Sequence, residues 1–251
     1  MTNIAIITAR GGSKRIPKKN IQSFCGKPII AYSIEAALGS KLFNEVMVST
    51  DSEEIAEVAK HYGASVPFMR SEANSNDYAT TADVLREVLT EYEKLGKTFD
   101  YMCCLYPTAP FITAEKLRTA FNHMKEAEAD ALTPVVAFSY PPQRAFIIRD
   151  GFLQYTHPEF IKTRSQDLEK IYHDCGQFYF YKVSSFLSNL GIKTVPLIIP
   201  EAEVQDIDTL SDWKIAEIKY SLMTPPQLLI FSILLINTLR VNTRRRMHNV
   251  Y

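Results

Sequence analysis

Short apolar runs recur along this chain, and most are followed by an amphipathic segment with its own start and stop signals. Ile4–Ile7 is too short for a core helix and rich in β-branched residues, so it reads as a buried strand. Glu45–Thr50, Ser65–Met69, Tyr101–Leu105, Ala131–Ala137 and Ile192–Ile199 are further strands. Between them, Pro28–Leu38 spaces Ile30, Ile34 and Leu38 at helical intervals, and Asp51 or Ser52 caps a helix that Gly63 stops. Thr80–Leu95, a segment from Thr113 to about Ala127, and Thr209–Leu222 complete the helices. Strands alternating with helices predict an α/β fold: three layers, α/β/α, around a mostly parallel sheet.

The loop after the first strand carries the strongest chemical signal. Arg10, Lys14, Arg15, Lys18 and Lys19 fall within ten positions, with Gly11, Gly12 and Pro17 among them and no acid. Glycine lets backbone N–H groups approach a ligand, and clustered cations suit a polyanion such as a nucleotide triphosphate at a strand's carboxyl end. Neither a GxxxxGK[ST] phosphate loop nor a GxGxxG dinucleotide fingerprint is present. The competing reading is a solvated basic loop. Formal charge balances at 28 against 28, but four arginines and no acid lie after Met223, leaving the body with 24 cations against 28 anions. A mildly acidic body argues against general nucleic-acid binding and makes the loop a local device.

Later segments add candidates. Arg70 precedes Asp77-Tyr78-Ala79-Thr80-Thr81, where a guanidinium and hydroxyls suit a base edge or ribose, although Asp77 or Thr80 also suits a helix cap. Tyr106-Pro107-Thr108-Ala109-Pro110 makes a rigid turn at the end of a strand. Residues 138–176 break the βα rhythm with three prolines and alternating aromatics, and Phe146–Arg149 with Phe152–Tyr155 around Asp150-Gly151 reads as a hairpin. Apolar residues on a protruding hairpin predict a partner surface, best met by an identical subunit; a lid over its own subunit is the competing reading. Within this stretch Arg164 is the natural bidentate partner of a sugar carboxylate, and Phe178, Tyr179 and Phe180 offer aromatic faces to a hexose ring or plain core. Asp206 and Asp208 flank Ile207, so an extended chain projects both carboxylates to one side, suiting Mg²⁺ shared with phosphate; Asp208 as a helix cap is the alternative. The four cysteines show neither CxxC pairs nor zinc spacing, and reduced thiols in the cytosol are expected. No signal peptide is expected ahead of the first strand, so a cytoplasmic location follows. Leu228–Ile236 is too short to span a bilayer and is followed by Arg240 and Arg244–Arg246. The tail 224–251 is read as lying outside the evolved domain, in preference to a membrane-surface helix.

ARGGSKRIPKKN, Ala9 to Asn20, resembles the opening motif of the CMP-sialic acid synthetase family, the cytidylyltransferases that activate nonulosonic acid sugars. The resemblance extends to about Met223, giving a domain 1–223 with an arm at about 138–176. It implies a nucleotide-diphospho-sugar transferase-like fold, a homodimer joined by the arm, CTP and a nonulosonic acid as substrates, Mg²⁺, and no nucleic-acid partner. It gives Arg10, Lys14 and Lys19 to the phosphates and Ala9, Gly11, Asn20, Arg70, Asp77 and Thr81 to the nucleotide. Asp206 and Asp208, in DIDT, would hold the metal. Tyr106 stands where the family usually has Gln, and YHDCGQFY stands where NGAIY is common. The first departure bears on the sugar's identity more than on the reaction. The second is similar to the branch acting on pseudaminic acid, and the sugar would then fall to Tyr106, Arg144, Arg164, Gln166, Gln177 and Tyr179. Sialic, legionaminic and 3-deoxy-octulosonic acids are the alternative sugars.

Overall fold

The structure, a computed structural model, describes residues 1–188 and 191–223. β1 (Asn3–Thr8) leads through the basic loop and a two-residue ladder, β2 (Ser23–Phe24) with β3 (Lys27–Pro28), into α1 (Ile29–Ser40). β4 (Glu45–Ser49), α2 (Glu53–His61), α3 (Thr81–Lys94), β5 (Tyr101–Leu105), α4 (Ala114–Glu126) and β6 (Ala131–Ala137) follow. The inserted stretch holds the hairpin β7 (Phe146–Arg149) and β8 (Phe152–Tyr155), then β9 (Tyr172–Asp174). β10 (Phe178–Lys182), α5 (Val183–Ser188), β11 (Thr194–Ile198) and α6 (Leu210–Met223) end the described chain.

The main sheet runs β11-β6-β10-β5-β1-β4, with β9 added to β6. β4, β1, β5, β6 and β11 share one direction, whereas β10 and β9 run against it. Alternation along β1 builds the three layers: Ala5 and Ile7 face α1, α2 and α4, while Ile4 and Ile6 face α3 and α5. A third cluster, in which Ile16, Phe24, Ile29, Tyr32, Phe111, Ile207 and Trp213 meet, fastens α6 and the segment before it to α1 and the basic loop. Phe24 stands edge-on to Tyr32, Trp213 and Tyr220 at 5.5 to 5.6 Å.

The strand expected at Ser65–Met69 reduces to a single bridge, Ser65 to Met47. Pro67 has no N–H to extend the ladder, and the chain turns away until the Arg70 N–H donates to Thr50 O at 2.8 Å. The hairpin lies where its turn residues put it, with Asp150 and Gly151 both at positive φ. Phe178 and Phe180 are core residues, fully enclosed between the sheet and its helices, so neither offers a face to a sugar. No helix among the described residues is long and apolar enough to cross a membrane, and the apolar and basic tail expected at 224–251 lies outside the described residues.

Candidate active site

Because β4, β1 and β5 are parallel neighbours, their carboxyl ends open on one side, and a cleft of about 570 Å³ lies there. The connection after β1 crosses to β4 on one side, while the later return to β5 lies on the other. The cleft therefore sits where strand order reverses, the usual ligand position in open α/β sheets. Its walls come from the basic loop after β1, the Arg70–Thr81 loop and the turn after β5.

Five cations line the cleft: Arg10, Lys14, Arg15, Lys19 and Arg70. Arg70 is buried, its Nε donating to Ser49 Oγ at 2.9 Å and its Nη2 to Ser49 O at 2.6 Å, so β4 fixes its position. Burial lowers its pKa from the ordinary guanidinium value, and neighbouring Arg10 adds to that shift. Asn20 is buried too, donating from Nδ2 to Arg10 O at 2.8 Å and thereby bracing the loop from within. Ala9 donates its N–H to Ser49 O at 2.9 Å, and Gly11 donates to Asp51 Oδ1 at 2.7 Å. A side chain at Gly11 would put its Cβ 3.1 Å from Ser52 Cβ, which accounts for the glycine there.

All five cations of the basic loop carry an anionic partner. Arg10 Nη1 lies 2.7 Å from Asp77 Oδ1 and Lys14 Nζ 2.5 Å from Asp77 Oδ2. Arg15 Nη2 lies 2.6 Å from Asp208 Oδ1, Lys19 Nζ 3.7 Å from the same oxygen, and Lys18 pairs with Glu54 at 2.7 Å. Lys19 Nζ also donates to Ile207 O at 2.7 Å. The amino-terminal cations and the carboxyl-terminal acidic segment, remote in sequence, thus meet at one wall of the cleft.

The cap readings resolve in detail. Thr80 caps α3 in a capping box with Asp83, whereas Asp77 caps nothing and faces the basic loop. Before α6 it is Thr209, with Asp212, that caps: Asp212 Oδ2 accepts from the N–H groups of Asp208 and Thr209 and from Thr209 Oγ1. Those bonds hold the Asp212 carboxyl below its usual range and leave the Asp208 carboxylate to the cations. The two aspartates of DIDT part company, however. Asp208 meets Arg15 and Lys19, while Asp206 lines a neighbouring cavity of about 360 Å³ with His173, Asp174 and Lys219. No group of three or more His, Cys, Asp or Glu side chains among the described residues is arranged as a complete metal cage.

The acidic segment is strapped in place by residues that sequence reading did not single out. Lys116 Nζ pairs with Glu203 at 2.5 Å, and Lys219 Nζ donates to Val204 O at 2.7 Å. No motif marks these lysines; they matter through backbone carbonyls and one distant carboxylate.

Tyr106 and Thr81 border the cleft, with their hydroxyls 3.4 Å apart. Gln177 and Tyr179 form a layer behind them. Gln177 is buried, its Nε2 donating to Glu203 O at 2.7 Å while its Oε1 has no partner among the described residues. Tyr179 stands edge-on to Tyr106 at 5.5 Å and donates its hydroxyl to Asp174; burial, then Tyr106 and Asp174, drive its phenol pKa far up, so it remains neutral. The arm residues lie elsewhere. Arg144 reaches Ser165 Oγ at 3.2 Å in a groove of its own, Arg164 pairs with Asp167 within its turn at 2.9 Å, and Gln166 is exposed. Within one chain these three do not line the cleft.

Known proteins share this fold. The structure of CMP:2-keto-3-deoxy-manno-octonic acid synthetase complexed with CTP is similar in fold, with TM-score 0.65 and 19% identity, covering 89% of this chain and 100% of that one. A pseudaminic acid cytidylyltransferase of Campylobacter jejuni is 43% identical over 224 residues, 88% of this chain and 97% of the relative. A CMP-N,N'-diacetyllegionaminic acid synthase of Legionella pneumophila is 35% identical, over 86% and 95% of the two chains. A family model described as cytidylyltransferase matches residues 4–190, and the chain belongs to that family.

Proposed function

We propose that this chain transfers the cytidylyl group of CTP to pseudaminic acid, giving CMP-pseudaminic acid and pyrophosphate. The observation that carries the reading is the cleft itself: five cations and one carboxylate around a space at the carboxyl ends of β1, β4 and β5, in a chain 43% identical to a pseudaminic acid cytidylyltransferase. The anomeric hydroxyl of the sugar attacks the α-phosphorus in line. The new O–P bond forms as the bond to the pyrophosphate oxygen breaks, and the hydroxyl proton leaves to solvent. Such a transfer needs positioning and charge neutralisation more than covalent help from the protein.

In this reading Arg10, Lys14 and Lys19 neutralise the phosphates and the departing pyrophosphate. Arg70, Thr81, Asn20 and the backbone at Ala9 and Gly11 hold the nucleoside. Asp208, the aspartate of the pair that meets the basic loop, would hold Mg²⁺ together with substrate oxygens, whereas Asp206 lines the neighbouring cavity and stands apart from it. When bound, the metal supplies positive charge at the phosphates and acidifies the attacking hydroxyl. Tyr106, Gln177 and Tyr179 shape the sugar side of the cleft. Arg144, Arg164 and Gln166 contribute through a homodimer in which the arm reaches the neighbouring site. Supporting the dimer, Ile148 and Phe152 on the hairpin are each 74% exposed and Leu153 is 67% exposed. The catalytic domain is taken as residues 1–223, working in the cytoplasm.

The 35% identical diacetyllegionaminic acid synthase makes legionaminic acid the second candidate. The test is pyrophosphate release from CTP with a panel of nonulosonic acids. Highest kcat/KM with pseudaminic acid is expected. A clear preference for legionaminic or sialic acid would move the substrate, and no release with any member would remove the reading.

A further inference from the structure

Asp77 stands out as the one acid among the described residues that line the cleft. Its two carboxylate oxygens are divided between two cations, Arg10 at 2.7 Å and Lys14 at 2.5 Å. The segment carrying it is independently shaped: Asn76 Oδ1 accepts from the N–H groups of Tyr78 and Ala79, and Arg10 Nη1 also reaches Asn76 O at 3.3 Å. The carboxylate is not occupied as a helix cap, since Thr80 and Asp83 serve α3 between them. It is also not locked away. The side chains of Arg10, Lys14 and Asp77 are 41%, 78% and 47% exposed, so water and ligand reach all three.

A carboxylate that pairs with the phosphate-binding cations is a poor neighbour for a polyphosphate, because it adds negative charge beside it. We propose that Asp77 is an exchangeable internal anion. It holds Arg10 and Lys14 together while the cleft is empty, gives them up when a polyphosphate enters, and recaptures them as pyrophosphate leaves. This rests on the reading of the cleft as the triphosphate site. Two consequences follow. Affinity for any polyphosphate is held below what the cations alone would give, which favours product release. The freed carboxylate also takes up cations from solution as the ligand binds, so fewer salt ions are released overall than the loop's charge suggests.

The test is calorimetric titration of the full chain with sodium pyrophosphate and with CTP, comparing wild type with Asp77→Asn across a salt series. Asn keeps the shape and removes the charge. The expected result is pyrophosphate binding about three- to tenfold tighter in the variant, a range in keeping with the modest strength of exposed ion pairs. A steeper fall of log affinity with log salt should accompany it, a change that a purely structural role would not give. Pyrophosphate should also become a stronger product inhibitor. Weaker or unchanged pyrophosphate affinity in Asp77→Asn, with unchanged thermal midpoint, overturns the proposal while leaving the cleft assignment intact. If wild type binds neither CTP nor pyrophosphate, the cleft assignment fails and this proposal with it.

Discussion

Lys116 and Glu203 offer a direct way to ask whether the acidic segment is held by design of the surrounding fold. Their ion pair is 2.5 Å long, and the side chains are 16% and 27% exposed. Lys116 Nζ also donates to Phe111 O at 2.8 Å, and Glu203 O accepts from Gln177. Exposed pairs typically contribute about 0.2–1 kcal/mol, whereas removing one partner of a fully buried pair costs about 3–5 kcal/mol. A largely but not fully enclosed pair falls between, so Lys116→Met should cost about 2 kcal/mol. Glu203→Gln should cost less, because Gln still accepts a hydrogen bond from the lysine. Urea unfolding of the two single variants and the double variant gives the coupling, expected at about 1–2 kcal/mol. The same variants should need more Mg²⁺ for half-maximal rate while binding CTP normally without metal, since the segment leads directly to Asp206 and Asp208. A coupling below about 0.5 kcal/mol, within the ordinary scatter of additivity, would refute the view that this pair anchors the segment.

Other outcomes follow from the same geometry. Arg10→Ala should lower turnover by about 10²–10³-fold, the scale of losing one preorganised charge partner, with thermal unfolding unchanged. Trp213→Ala should cost about 3–5 kcal/mol, because its ring is 5% exposed and stands against Phe24 in the cluster that fastens α6. Iodoacetamide should modify Cys25 in the native protein and reach Cys103, Cys104 and Cys175 only after unfolding, since those three are buried and burial pushes the Cys104 and Cys175 thiols up to about 12. The Asp77 carboxyl is held below its usual 3.8 by Lys14 and Arg10. A lowered folded value means the pairing is present above 3.8 and lost only as pH falls through the still lower folded value. Pyrophosphate affinity should therefore show no Asp77 step between about pH 8 and about pH 5, whereas a step in that range would contradict the pairing.

What the sequence discloses and what it hides divide along a physical line. Strands such as Ile4–Ile7 and Tyr101–Leu105 are legible because a parallel sheet covered on both faces demands continuous apolar runs. The hairpin at Asp150-Gly151 is legible because only certain residues take its backbone angles comfortably. Ser65–Met69 has the composition of a strand, but Pro67 breaks the ladder, and composition alone overstated it. The convergence of the basic loop with Asp208 runs through the cluster in which Ile207 and Trp213 pack against Ile16 and Phe24, contacts that no motif marks, and the DxD spacing alone is a weak sign of it. The divergence of Asp206 from Asp208 depends on how the segment is strapped by Lys116, Gln177 and Lys219, and those contacts span sequence distances that no local pattern records. Likewise Arg164 suits a carboxylate by its chemistry, yet within one chain its nearest carboxylate is its neighbour Asp167.

The central claim is that cations from the start of the chain and a carboxylate from its end grip one triphosphate. Anomalous diffraction from crystals soaked with CTP and Mn²⁺ tests this most directly. The account predicts a manganese peak beside Asp208 and the nucleotide phosphates, with Arg10, Lys14 and Lys19 turned onto the phosphate oxygens and cytosine near Arg70. Phosphates bound away from the basic loop, or manganese remote from Asp208, would contradict it.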